Sequence, residues 1–188
     1  MKRIHYYIVG TIILFATVIF SNSVGATSGA NKRMEKLEVK ARDLFVTLSE
    51  RYTKIEELHD NLSALDETAT ALVNNIEERI TIFNDTKLLS QTVWPALQDA
   101  KYIDENFMTL ILYLKDNKDT FGSTLPSSFY TEFDAITSVL LPKINAYNSL
   151  TADYNTHIDL FPNRLYLKGR NPYIIFDLAL YPENLPLF

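Results

Sequence analysis

AYNSLTADYNTHIDLFP, residues 146–162, is the stretch from which the rest of the chain can be read. Tyr147-Asn148 recurs seven residues later as Tyr154-Asn155, and Phe161 follows after seven more. Seven residues is close to two turns of α-helix, so Tyr147, Tyr154 and Phe161 fall along one stripe, with Asn148 and Asn155 beside it. The stripe predicts a helix whose buried side carries Ile144, Tyr147, Tyr154, Ile158 and Phe161. Pro162 biases the residue before it away from helical backbone, so the helix is expected to end at Phe161. Upstream, Ser127 or Ser128 is placed to cap it, Phe129, Phe133, Ile136 and Leu140 continue its apolar side, and Pro142 either kinks it or opens a fresh helix. Asn is a poor residue in mid-helix. Either the two amides bond buried main chain or a neighbouring helix and fix the packing register, or the Tyr-Asn pairs line a polar groove that binds a peptide or small molecule.

The same three-and-four spacing runs through residues 31–83. Met34, Leu37, Ala41, Leu44, Leu48, Tyr52, Ile55, Leu58, Leu62, Leu65, Ala69, Leu72, Ile76, Ile80 and Phe83 recur at steps of three or four, the mark of one helical face. No Gly or Pro occurs between Asn31 and Trp94. A single helix here would be roughly 75 Å long, so a kink is expected near Asn61 to Asp66, with Ser63 and Asp66 available to cap the restart. The face reads as core. A coiled-coil seam joining two protomers into a homo-oligomer is the alternative, but no polar residue on the seam would fix a register.

Residues 84–92 lack periodicity and read as a bend. Pro95 suits the first turn of a further helix, whose face carries Leu97, Ala100, Ile103, Phe107, Leu110 and Leu114. Gly122, Pro126 and a Ser/Thr/Asn/Asp cluster mark residues 115–128 as a surface loop. The fold class expected is therefore all-α: an antiparallel bundle of three to four long helices, with an irregular C-terminal tail packed on it. A short hairpin across Lys168-Gly169-Arg170 is the alternative for the tail. Arg164, Lys168 and Arg170 form a small basic cluster beside aromatics, a solvated loop or a contact for anionic lipid.

Several of these motifs resemble those of the LemA family. The two Tyr-Asn steps, the Phe161-Pro162 stop and the later Pro172-Tyr173 and Phe176 are similar to its C-terminal signature. Arg51-Tyr52-Thr53-Lys54-Ile55, with Leu58 and Leu62, resembles the Arg-Tyr-x-x-Ile of its first helix. Glu105-Asn106-Phe107 resembles the Glu-Asn-Phe that follows an aromatic-Pro step, here Trp94-Pro95, although the gap is about one helical turn longer. The interruption over residues 115–128 departs further from the family pattern. The resemblance implies a membrane-tethered helical bundle with a retained N-terminal helix and no established biochemical activity.

At the N-terminus Lys2 and Arg3 precede the apolar run YYIVGTIILFATVIF, residues 6–20, and no charge occurs from Tyr6 to Ala26. The run followed by SNSVGATSGA gives residues 1–30 two readings: a membrane anchor with a short linker, or a signal peptide cut after Val24-Gly25-Ala26. Residues 31–188 form the bundle and tail in both. Lys2 and Arg3 abut the apolar run while Lys32 and Arg33 lie farther off, diluted by Glu35 and Glu38. That asymmetry puts the short N-terminus in the cytoplasm and the bulk of the chain outside.

Nothing in the chain marks a reaction. Its 188 residues include no cysteine and three histidines, His5, His59 and His157, and carry a net charge of −5. The absent thiols remove Cys-based metal sites and nucleophiles. The Glu56-Glu57 and Glu77-Glu78 doublets lack the Glu-x-x-His of a di-iron bundle, and phosphate-binding and nucleophile-elbow glycines are missing. The mildly acidic balance argues against nucleic acid. The expectation is a non-enzymatic protein without a cofactor: a membrane-anchored, cell-envelope interaction module with an unidentified protein partner. Tyr147, Asn148, Tyr154, Asn155, Phe161, Pro162, Pro172 and Tyr173 are its candidate packing or interaction residues.

Overall fold

The computed structural model describes residues 2–62, 65–86, 92–117, 126–181 and 185, and every regular element among them is a helix. In chain order these are α1 (Lys2–Asn61), α2 (Glu67–Asp85), α3 (Val93–Asp116), α4 (Ser127–Asp159) and the short α5 (Asn163–Tyr166). The fold is an all-α bundle. Its first helix is longer than the periodicity alone required. The small-polar stretch over residues 21–30, read above as a linker, is helical, so α1 runs unbroken for 60 residues, about 90 Å.

The kink expected between residues 61 and 66 is a complete break. Leu62 N–H donates to the His59 carbonyl at 3.0 Å as α1 ends. Asp66 then adopts extended backbone (φ −79°, ψ 180°) and its side chain accepts from Ala69 N–H at 2.8 Å, capping α2. Ser63 lies outside the described residues. So do residues 87–91 of the expected bend and residues 118–125 of the expected loop. Pro95 sits in the first turn of α3, where Ala96 N–H still reaches the Thr92 carbonyl at 3.0 Å. Ser127 is the first helical residue of α4, with Phe129 N–H donating to the Pro126 carbonyl at 3.0 Å. Pro142 neither breaks α4 nor restarts it. Its ring forfeits one main-chain bond, while Phe133, Leu140, Ile144 and Tyr147 stay buried on either side of it.

The chain divides into two compact units, Met1–Leu37 with Ser149–Ile174, and Glu38–Asn148 with Ile175–Phe188. In the larger unit α2 lies antiparallel to α1, as the pairs His59–Glu77, Tyr52–Phe83 and Ser49–Asn84 show. α4 is also antiparallel to α1, through Lys54–Glu132, Arg51–Thr137 and Lys143–Asp43. The core there is built from Leu44, Leu48, Tyr52 and Ile55 of α1, Ile76, Ile80 and Phe83 of α2, Ile103, Phe107 and Leu110 of α3, and Phe133 and Leu140 of α4. These are positions the spacing assigned to buried faces. Leu62 and Leu65 are only half-buried at the α1–α2 break, and Leu72 is half-buried because Val73 rather than Leu72 takes the buried face of α2 between Ala69 and Ile76.

The smaller unit pairs the early part of α1 with the end of α4. Ala26 and Ala30 are buried, and Gly29 lies against the His157 ring so closely that an added Cβ would stand 2.8 Å from its Cε1. Arg33 pairs with Asp153 at 3.0 Å. After α4 the chain turns through a cis Phe161–Pro162 peptide, forms α5, and turns again at Lys168-Gly169, where Arg170 N–H donates to the Leu167 carbonyl at 2.9 Å. The alternative of a hairpin is not realised: residues 171–181 form no strand.

Candidate functional site

Both candidate tyrosines of the heptad repeat are buried, Tyr147 in the larger unit and Tyr154 in the smaller. Tyr154 packs edge-on against Tyr173, ring centres 5.2 Å apart, and burial pushes its phenol above the ordinary range. Phe161 departs from the expected stripe. α4 ends at Asp159, so Phe161 belongs to the turn at Pro162 rather than to the helical face, and it is 74% exposed. The expectation that Phe161 is buried, and that the helix reaches it, is corrected on that ground.

The two asparagines hold the tail by its main chain. In the smaller unit Asn155 donates to the Tyr173 carbonyl at 2.8 Å and accepts from Tyr173 N–H at 2.9 Å. In the larger unit Asn148 does the same for Phe176, at 2.7 and 2.9 Å. A side-chain amide carries one acceptor and one donor side, so each Asn satisfies both polar groups of one extended residue. Seven helical residues rise about 10.5 Å and three extended residues span about 10 Å, which is why Asn residues seven apart suit main-chain groups three apart. Pro172 stands just before the first of these rungs, on the extended chain.

A second clasp holds the tail farther along within the larger unit; of its two charged residues the sequence reading quoted only Arg51, for its motif and not for this role. Arg51 of α1 and Asp104 of α3 are buried and paired at 3.2 Å. Arg51 Nη2 also donates to the Leu180 carbonyl at 2.7 Å, and Leu180 N–H donates to Asp104 Oδ2 at 3.3 Å. Arg51 Nη1 donates to Thr137 Oγ1 at 2.7 Å, and the guanidinium lies 4.1 Å from the centre of the Phe133 ring. Burial pushes the Asp104 carboxyl up to about 6 against the opposing pull of Arg51 and of the Leu180 and Ala179 N–H groups, so at neutral pH it is ionised. Tyr52, beside this pair in sequence, donates to the Ala100 carbonyl at 2.9 Å, and burial holds its phenol protonated well above the ordinary range. With Phe176, Leu178 and Leu180 buried, the alternate side chains of the tail face inward.

The remaining polar candidates are structural. His157 Nε2 meets the Ala26 carbonyl at 3.0 Å and Asn163 Nδ2 lies 3.2 Å from its Nδ1, an arrangement that puts the ring proton on Nε2. Arg170 of the basic cluster reaches Asn31 at 2.5 Å and Met34, whereas Arg164 and Lys168 are exposed. His59 is buried, neither ring nitrogen has a hydrogen-bond partner among the described residues, and burial lowers it to about 4. It is therefore neutral at pH 7, and its 3.5 Å approach to Glu77 is not an ion pair there. Among the described residues no three His, Asp or Glu side chains are grouped to share a metal ion. Comparison with known protein families, with curated proteins and with solved structures gives no match.

Proposed function

We propose that this chain is a membrane-anchored helical-bundle protein of the LemA type, a non-catalytic scaffold of the cell envelope that presents its bundle to a protein partner. The observation that carries the reading is the change of face along α1. Residues 4–20 are all exposed and predominantly apolar, and among the described residues α1 is the one helix long and apolar enough to cross a membrane. So large an apolar surface is unfavourable in water and at home in lipid. Thr11 and Thr17 donate to the Tyr7 and Ile13 carbonyls at 2.8 and 2.9 Å, which satisfies both hydroxyls within the helix as a bilayer demands. From Ala26 onward the same helix has a buried side.

The alternative, a chain released after Ala26 that binds a ligand between its helices, has less support. A cut there falls inside α1, at a buried residue whose carbonyl meets His157. The Asn148 and Asn155 amides that would line the groove are taken up by the tail. Lys2 and Arg3 favour a cytoplasmic N-terminus with the bulk of the chain extracytoplasmic. The experiment is membrane fractionation with intact-mass measurement: the full-length chain stays with the membrane through carbonate washing. Recovery of a soluble chain beginning at Thr27 would contradict the reading.

A further inference from the structure

The end of α4 presents an apolar corner that the core does not use. Leu160 is 57% exposed, Phe161 74% and Leu165 49%, in the turn at Pro162 and the short α5 beyond it. Single exposed apolar residues need no explanation, but three within six positions, on a segment held in place by His157 and Asn163, do. The anchors are within the smaller unit. His157 bonds the Ala26 carbonyl at 3.0 Å, and Asn163 bonds the His157 carbonyl at 3.0 Å. The corner is thereby held at the level of Ala26 on α1.

That level is set by the length of the span. A hydrocarbon core of about 30 Å takes about 20 helical residues, which carries a span beginning at Ile4 to about Ser23, one turn short of Ala26. Headgroups occupy the next several ångströms. α4 runs toward the span, since Asp153 meets Arg33 and His157 meets Ala26, so its continuation past Asp159 points at the bilayer. We propose that Leu160, Phe161 and Leu165 insert into the headgroup layer of the leaflet from which α1 emerges, a second contact with lipid that fixes the tilt of α1. Arg164 and Lys168 are exposed beside them and suit anionic headgroups, with exposed Asp159 offsetting one of the two charges, so the apolar side chains carry the contact.

This inference rests on the membrane-anchor reading, and the test separates the two. The chain has no cysteine, so single substitutions can be labelled without background. Full-length Phe15→Cys, Phe161→Cys, Leu165→Cys and Ala152→Cys variants, each carrying an environment-sensitive fluorophore, are reconstituted in phosphatidylcholine–phosphatidylglycerol vesicles with nitroxide-bearing lipids as quenchers, a deep one for residue 15 and a shallow one for the other positions. The expected result is blue-shifted, lipid-quenched emission at 15, 161 and 165, and water-like, unquenched emission at 152, which lies on the exposed side of α4. Water-like emission at both 161 and 165 with lipid quenching at 15 would overturn the corner contact and leave the anchor standing. Blue-shifted emission at 161 and 165 without lipid quenching would mean that protein covers them, which also overturns it. Water-like emission at 15 would remove the anchor and this contact together.

Discussion

Arg51 and Asp104 each lie beside an apolar stripe residue, Tyr52 and Ile103, and are buried with it. Arg51 stands between Leu48 and Ile55 along α1, and Asp104 between Ala100 and Phe107 along α3. Two opposite charges beside two apolar stripes were visible in the sequence, but nothing there says that the stripes meet, or that Leu180 arrives between them. A buried pair contributes little net stability relative to an apolar replacement, yet removing one partner strands the other at a cost of about 3–5 kcal/mol. Asp104→Leu is accordingly expected to destabilise the bundle strongly in urea. Arg51→Met added to it is expected to restore part of the loss, while Leu180 stays undocked and the tail becomes open to protease in both. A double variant no more stable than Asp104→Leu would contradict this pairing.

His59 gives a pH dependence of definite sign. The unfolded chain takes up the imidazole proton near pH 6.5, whereas the folded chain refuses it until about pH 4. The stability His59 contributes is thus present above pH 6.5 and lost as pH falls toward 4, by about 3 kcal/mol at the limit. Asp104 works in the opposite sense, its contribution being lost as pH rises from the ordinary carboxyl range toward 6. His59→Phe isolates the first effect because both proteins keep Asp104. The stability of the variant relative to the parent is expected to rise as pH is lowered from 6.5 to 4; a constant difference would show that the ring is solvated.

At the scale of the element, the helices were legible because each buries one face, and their ends were harder. The stripe from Tyr147 through Tyr154 ran on in sequence to Phe161, but a heptad repeat continues on paper past the last main-chain hydrogen bond. The helix stops at Asp159 and Phe161 swings outward. The tail's partners were half-legible: Asn148 and Asn155 stood out as mid-helix amides, while the extended main chain they bind has no periodicity to find. Gly25 and Gly29 were read only as small residues of the SNSVGATSGA stretch, Gly25 next to the possible cut, yet they differ. A Cβ added at Gly25 would meet nothing within 4 Å, whereas one added at Gly29 would meet His157 at 2.8 Å, and that ring is held by both Ala26 and Asn163. Gly25→Ala is expected to raise stability by about 0.5–1 kcal/mol through helix propensity. Gly29→Ala is expected to lower it by about 1–3 kcal/mol through overpacking. Thermal unfolding in detergent micelles checks the pair, and equal shifts of one sign would count against the packing described.

For the whole molecule, the amphipathic spacing of residues 31–83 and the uncharged run before it were sufficient to read an apolar N-terminal segment and a helical bundle. They did not show that one helix supplies both. SNSVGATSGA has the small polar residues of a linker, yet it is helical, with Ala26 and Ala30 buried and Gly29 against His157 of α4. For Ala26 and His157 that contact joins residues 131 positions apart in the chain. The end of α4 is thereby held against residues 26–33 of α1.

The continuity of α1 through residues 21–30 is open to direct measurement. Phe15 and Lys36 are both exposed and lie on the same helix, either side of residues 21–30. Spin labels at Phe15→Cys and Lys36→Cys in lipid nanodiscs should give a narrow distance distribution centred at about 32 Å, the rise of the intervening helix, with allowance for the label arms. A broad distribution reaching well below that value would mean that residues 21–30 are a flexible link, and α1 would not be one continuous helix through that stretch.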